Sequence, residues 1–211
     1  MNRPVIYVLA GVNGAGKSSI GGHVLTRAGL GWFNPDQFAR EWRAASGCSV
    51  TEANATAWQE GMRRLAAACE RGQSYAFETT LGGRSVPARL IDAARTHDVL
   101  VWYCGLASPE LHLARIRARV AAGGHDIPEA KVRERWAASV SNLIALLPHL
   151  SQARLFDNSA TVAPGEAVPE PVHVATFDHG RLAWPAPNDS TQLARTPDWA
   201  KPVLEAALRA G

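Results

Sequence analysis

The sequence predicts an α/β fold with a mostly parallel, five-stranded sheet flanked by helices. Two observations carry that expectation. Short apolar runs alternate with longer stretches of helical periodicity, the pattern of strands joined by helical crossovers. The first apolar run, residues 5–10, leads straight into Gly11-Val12-Asn13-Gly14-Ala15-Gly16-Lys17-Ser18. That octapeptide fits the phosphate-loop pattern G-x-x-x-x-G-K-[ST] in its required place between a strand and a helix.

The elements follow in order. Residues 4–10 read as the first strand and 17–27 as the helix after the loop. Residues 32–34 read as a short second strand, stopped by Pro35. A helix is expected over 51–71, with Thr51 to cap it and Gly72 to stop it. Its Trp58, Met62, Leu65 and Cys69 fall at helical spacing. Residues 74–78 form the third strand and 87–97 a helix. The continuous apolar run 99–106 suits a central parallel strand. Ser108-Pro109-Glu110 opens the next helix and Gly123-Gly124 closes it. Residues 129–147 make another helix, with Val132, Trp136, Val140, Leu143 and Leu147 on one face. Residues 154–157 are the fifth strand. Beyond Asn158, Pro164, Pro169 and Pro171 mark a connector. A hairpin over 172–184 turns at Asp178-His179-Gly180, and a helix is expected over 198–209. Trp184 and Trp199 read as packing anchors.

Composition narrows the classes. A chain of 211 residues holds one α/β domain with an extension. Its 46% hydrophobic and 19% charged content excludes a disordered chain. A net charge of +3 is too mild to argue for nucleic acid by itself, although arginines cluster between Arg115 and Arg135. Cys48, Cys69 and Cys104 are odd in number and isolated, which suits buried thiols in a reducing compartment. The histidines show no metal-ligand spacing. The sequence opens into its first strand without a signal-peptide pattern, and no apolar run nears membrane-spanning length. A cytoplasmic protein without a membrane partner is expected.

Three groups surround the loop. Gly11, Gly14 and Gly16 let the backbone wrap a phosphate, whose charge the loop amides and the helix N-terminus attract. Lys17 reaches the β- and γ-phosphates and Ser18 suits Mg²⁺. Asp36, at the end of the second strand, lies where open parallel sheets bind ligands. It reads either as a base taking a proton from an attacking hydroxyl or as a helix N-cap. Glu78-Thr79-Thr80 read either as a substrate- or Mg²⁺-facing rim or as strand-end turn chemistry. Arg115, Arg117, Arg119, Arg133 and Arg135, around Gly123-Gly124-His125, read either as a mobile lid carrying an arginine finger or as a solvated charged face. Arg115 and Arg119 share a helix face and Arg117 does not.

Together these residues resemble the zeta-toxin family of P-loop kinases. The matching pieces are the loop 11–18, Asn34-Pro35-Asp36, Glu78-Thr79-Thr80, Arg119 with Gly123-Gly124-His125, Pro128, Arg135-Trp136, and Asp157-Asn158-Ser159. They span roughly residues 4–160 and are far more specific than the loop alone. The resemblance implies a P-loop nucleoside-triphosphate hydrolase and nucleotide-kinase-like fold. Residues 1–160 would be the kinase domain, with a helical, arginine-bearing lid at about 109–135. Residues 161–211 would be a small C-terminal extension packed on the same domain. It implies an ATP- or GTP-dependent, Mg²⁺-assisted phosphotransferase acting on a hydroxyl, with a UDP-N-acetyl sugar as first acceptor. A nucleoside or polynucleotide 5′-hydroxyl kinase, or a nucleotide-gated binding module with slow hydrolysis, are the alternatives. Asp36 matches the family's catalytic base, and Lys17, Arg119 and Arg135 its phosphate-stabilising positions. Gly11, Asn13, Gly14, Ala15, Gly16, Lys17, Ser18, Ser19 and Asn158 would hold the nucleotide. Asp36, Glu78, Thr79 and Thr80 would face the acceptor, and Ser18 would ligate Mg²⁺. A small antitoxin that occludes the nucleotide site is the implied protein partner. Two features depart from the family: Trp136 replaces a tyrosine, and short members lack much of the sugar-nucleotide pocket.

Overall fold

In a computed structural model, residues 3–17, 20–21, 31–162 and 169–210 are described. Six strands form one sheet: β1 Val5–Ala10, β2 Tyr75–Thr79, β3 Asp98–Gly105, β4 Gln152–Asp157, β5 Val172–Asp178 and β6 Arg181–Trp184. Their order across the sheet is β2-β1-β3-β4-β5-β6. The pairings β1–β2, β1–β3 and β3–β4 are parallel, and β4–β5 and β5–β6 are antiparallel. The sheet is therefore mostly parallel, with six strands where the sequence suggests five. Two differences produce that count. Residues 32–34 contribute a single bridge, Phe33 to Phe77, not a strand. The C-terminal hairpin instead joins the same sheet along β4. Its two-residue turn has His179 and Gly180 at φ 45° and 78°, the primed geometry that matches strand twist.

The helices are α1 Pro35–Ser46, α2 Val50–Arg71, α3 Ser85–Ala93, α4 Pro109–Ala121, α5 Glu129–Leu146, α6 Ser190–Ala194 and α7 Lys201–Ala210. Helix α2 starts with a capping box in which Ser49, not Thr51, is the cap and Glu52 returns a bond to it. Gly72 ends it in the left-handed conformation. Helix α3 stops at Ala93, short of the expected 97, and the chain turns through Thr96 and His97 to reach β3. Of the helix expected over 17–27, Lys17, Ile20 and Gly21 are helical; the other positions, with Ser18, Ser19 and His23, lie outside the described residues, as does Pro164. No helix among the described residues is long and apolar enough to cross a membrane.

Burial on both faces makes the central strands near-continuous apolar runs. Ile6, Val8, Val99, Val101 and Leu155 have no accessible surface. Leu65 of α2, Leu90 of α3 and Leu143 of α5 close over them. The C-terminal segment is fastened at the carboxyl end of the sheet by Trp199. Its indole is buried, tilts against Tyr103 and donates from Nε1 to Asp157 Oδ1 at 2.8 Å. The end of β3 must carry no side chain there, because a Cβ on Gly105 would lie 2.5 Å from the indole.

Replacing Trp199 by Ala removes this packing and leaves the Asp157 carboxylate short of a donor. The expected loss is about 3–5 kcal/mol of unfolding free energy, read from urea denaturation followed by far-UV circular dichroism.

Candidate active site

The carboxyl ends of β1, β2, β3 and β4 lie side by side, and strand order reverses at β1, whose neighbours are β2 and β3. This is where open α/β sheets form a ligand crevice. The loop after β1 has Gly11, Gly14 and Gly16 at φ 139°, 84° and 86°, values that penalise any residue with a Cβ. A Cβ on Gly11 would also collide with the Cys104 carbonyl, and one on Gly16 with the Asn158 amide.

A loop that turns its amides towards a ligand turns carbonyls away from it, and those carbonyls need donors. Three side chains from outside the loop supply them for Asn13 and Ala15. His112 of α4 donates from Nδ1 to Asn13 O at 2.8 Å; because a carbonyl only accepts, that nitrogen carries the proton. Asn158 donates from Nδ2 to Ala15 O at 2.8 Å, and Cys104 adds its Sγ at 2.9 Å. Burial pushes the Cys104 thiol up to about 12, so it remains protonated. Burial, with smaller contributions from Lys17 and Arg115, pushes His112 down to about 4 against its hydrogen bond to Asn13. No local pattern marks His112, whose partner is 99 residues away. Asn158 supports the loop from behind; Asp157 beside it accepts from Ser159 Oγ and from the Trp199 indole.

Two clefts open in front of the loop. One, of about 530 Å³, is lined by Gly14, Gly16, Arg40, Arg115, Arg119 and the Gly123-Gly124 turn. The other, of about 330 Å³, is lined by Phe33, Trp58, Met62, Phe77, Thr79, Thr80 and Arg135. Asn13, Lys17, Asn34, Asp36, Glu78 and His125 line both. Lys17 donates from Nζ to Gly11 O at 2.9 Å. Asp36 is not the cap of α1. Asn34 is, accepting Gln37 N at 3.0 Å, and its residue type suits that work. Asp36 sits in the first helical turn, where the helix dipole favours a negative charge. Glu78 is buried and accepts from Trp32 Nε1 at 3.2 Å. Thr79 and Thr80 accept Leu81 N and Gly82 N through their hydroxyls, at 3.0 and 3.4 Å, so they turn the chain while lining the cleft. The oxygens of Asp36 and Glu78 beside Lys17 are hard donors, which fit Mg²⁺.

The arginine stretch divides by face. Arg117 and Arg133 are exposed and join Glu110 and Glu129 in ion pairs of 2.8–3.9 Å, the solvated reading. Arg115, Arg119 and Arg135 face the clefts. Arg115 donates to Asn158 O at 2.6 Å and Ala160 O at 3.0 Å. Arg119 donates to His125 O at 3.1 Å, and its buried Nε finds no acceptor. Arg135 donates to Asn13 Oδ1 at 2.8 Å. Trp136 packs between two apolar clusters. Arg40, on helix α1, adds a further cation to the larger cleft.

Fold and crevice together define a P-loop, kinase-like α/β domain. The profile of the AAA domain family matches residues 6–143, well over half of the chain, and the chain belongs to that family. Solved structures with the same fold include a chain of the AvrRxo1-ORF1:-ORF2 complex with ATP, at 20% identity and a TM-score of 0.65. The match covers 86% of this chain and 60% of that one. A chain from the PezAT chromosomal toxin–antitoxin system of Streptococcus pneumoniae matches at 16% identity and a TM-score of 0.57, over 74% of this chain and 68% of that one. One from the Pnkp1/Rnl/Hen1 RNA repair complex matches at 16% identity and 0.53, over 67% and 46%. At these identities the likeness is one of fold. No curated protein matches the sequence significantly.

His112 makes the support of the loop pH-dependent. Its native pKa lies below its usual 6.5, so below pH 6.5 the unfolded chain binds the extra proton and stability falls as pH drops towards 4. Between pH 6.5 and 5 the expected loss from this group is about 1–2 kcal/mol. In His112→Gln, whose amide can still donate to Asn13 O, urea midpoints at the two pH values should differ by correspondingly less.

Proposed function

We propose that this protein transfers the γ-phosphoryl group of a nucleoside triphosphate, ATP first, to a hydroxyl of a small molecule. The observation that carries this reading is the position of Asp36 on the wall shared by the two clefts. The larger cleft, with Lys17, Arg115 and Arg119, suits the phosphates; the smaller, more apolar one suits an acceptor. Asp36 takes the proton of the acceptor hydroxyl as its oxygen bonds to the γ-phosphorus and the bond to the leaving diphosphate breaks. Lys17, Arg119 and Arg135 neutralise the charge on the transferred oxygens. Arg119 and Arg135 exchange their present acceptors, His125 O and Asn13 Oδ1, for phosphate oxygens as the lid closes. Ser18, with Asp36 and Glu78 through water, would hold Mg²⁺, which when bound neutralises the β- and γ-phosphates. Glu78, Thr79 and Thr80 orient the acceptor, and Gly11, Asn13, Gly14, Ala15, Gly16 and Ser19 complete the nucleotide site.

The finer assignment follows the zeta-toxin resemblance. A UDP-N-acetyl sugar is the first acceptor to try, then a nucleoside and a polynucleotide 5′-hydroxyl. A protein partner covering the nucleotide cleft belongs to the same reading, in keeping with the complexes in which similar folds occur. An acceptor cleft beside Asp36 favours a transferase over a nucleotide-gated binding module.

The test is phosphotransfer from γ-labelled ATP with Mg²⁺ to UDP-N-acetylglucosamine, nucleosides and 5′-hydroxyl oligonucleotides. Label should enter one acceptor class. Asp36→Asn should lower the rate by roughly 10²–10⁴-fold while ATP affinity stays within about threefold, and Lys17→Ala should weaken ATP binding itself. Loss of ATP binding in Asp36→Asn would make Asp36 structural, and label in no acceptor would favour the binding module.

A further inference from the structure

Helix α2 presents a stripe to the smaller cleft. Asn54, Trp58 and Met62 follow at intervals of four, with Ala57 and Gly61 between them, and all five line it. Residues so spaced share one helix face. Trp58 and Leu65 share helical spacing in the sequence but not their surroundings. Leu65 is buried in the main core, but Trp58 is 51% exposed.

The other tryptophans show what is unusual about Trp58. Trp42 stacks on Phe38, Trp102 tilts against Tyr7, Trp184 stacks on His173 and Trp199 packs on Tyr103. Trp32 hydrogen-bonds Glu78 and Trp136 is half-buried between apolar clusters. Trp58 alone is both exposed and without a ring contact or hydrogen bond among the described residues. Its indole is a bare apolar surface inside a concave site whose volume is that of a small-molecule pocket. Phe33, Phe77 and Met62 continue that surface, and Asn54, one turn away on the same face, offers both a donor and an acceptor.

We propose that Trp58 is the stacking platform for the acceptor, so that the acceptor class is a hydroxyl compound carrying a flat, unsaturated ring whose polar edge meets Asn54. This rests on the phosphotransfer reading for the word acceptor, but the platform is a binding property and is measured as one. A flat ring covers the indole and the apolar floor together, whereas a bare polyol leaves both wet. Trp58 thereby sets specificity through affinity, while Asp36 acts on the hydroxyl.

The experiment is calorimetric binding to the full chain saturated with Mg²⁺ and a non-hydrolysable ATP analogue, which fills the nucleotide site. The probes are adenosine, uridine, UDP-N-acetylglucosamine and ribose. Wild type is compared with Trp58→Phe, which keeps a stacking ring, and Trp58→Leu, which keeps apolar bulk without one. At least one ring-bearing probe should bind, with ribose at least tenfold weaker. Trp58→Leu should weaken that probe by roughly 5- to 150-fold, the range of a base–aromatic stack. Trp58→Phe should stay within about threefold of wild type, and all three proteins should bind the ATP analogue equally. Ribose bound as tightly as the ring-bearing probes, none of those probes bound, or Trp58→Leu equal to wild type would overturn the platform. With γ-labelled ATP in place of the analogue, label transfer indifferent to Trp58 overturns the platform alone. Trp58-dependent binding without label transfer counts against the kinase reading and leaves the platform standing.

Discussion

The site depends on one constraint: a loop that offers its amides to an anion must find other donors for its carbonyls. In this protein those donors are His112, Asn158 and Cys104, which reach Asn13 O and Ala15 O from three different parts of the chain. An unsatisfied buried carbonyl costs about 1–3 kcal/mol, so the arrangement holds the loop in its anion-ready shape before any ligand arrives. Such preorganisation is what makes electrostatic stabilisation of a transferring group effective. The close approach of Gly11 to Cys104 and of Gly16 to Asn158 follows from the same requirement, since the supporting groups leave no room for a Cβ.

Around this fixed loop the charged groups are arranged by exposure. The outward arginines of α4 and α5 join carboxylates in an exposed network that contributes little to stability. The inward ones rest on neutral acceptors: main-chain carbonyls and the Asn13 side chain. A guanidinium bonded to a neutral oxygen exchanges it for a phosphate oxygen at a gain, because bonds between two charged partners are the stronger ones. Arg135 is the clearest case, since its acceptor belongs to the phosphate loop itself.

What was legible in the sequence was what local pattern encodes. The loop, β1 and the long apolar β3 could be read directly, as could the hairpin, whose turn residues require positive φ. Helix α1 entered only through the reading of Asp36 as a helix N-cap, although Asn34-Pro35 starts it and Gly47 stops it. Phe38, Ala39 and Trp42 share one face of it, but only Ala39 is buried and Trp42 is 44% exposed, so that stripe lies at the margin of the core. The hairpin's place in the sheet, along β4, was hidden because strand pairing is not a local property. The loads carried by His112 and Asn158 were hidden for the same reason, with partners 99 and 143 residues distant. Trp58 shares helical spacing with Leu65, but spacing does not show which end of the stripe is core: the start of α2 reaches the carboxyl edge of the sheet, so one stripe is core at one end and cleft wall at the other.

The distances in sequence between the loop and its supports bear on how the protein is made. The glycine-rich segment is complete by residue 17, yet its carbonyl partners are residues 104, 112 and 158. During synthesis the segment emerges long before the groups that shape it. A chain still attached to the ribosome and ending before Asn158 carries the whole phosphate-loop motif without the full set of donors behind it. The loop thus gains its full set of supporting donors only when β4 closes on β3 and brings Asn158 behind it.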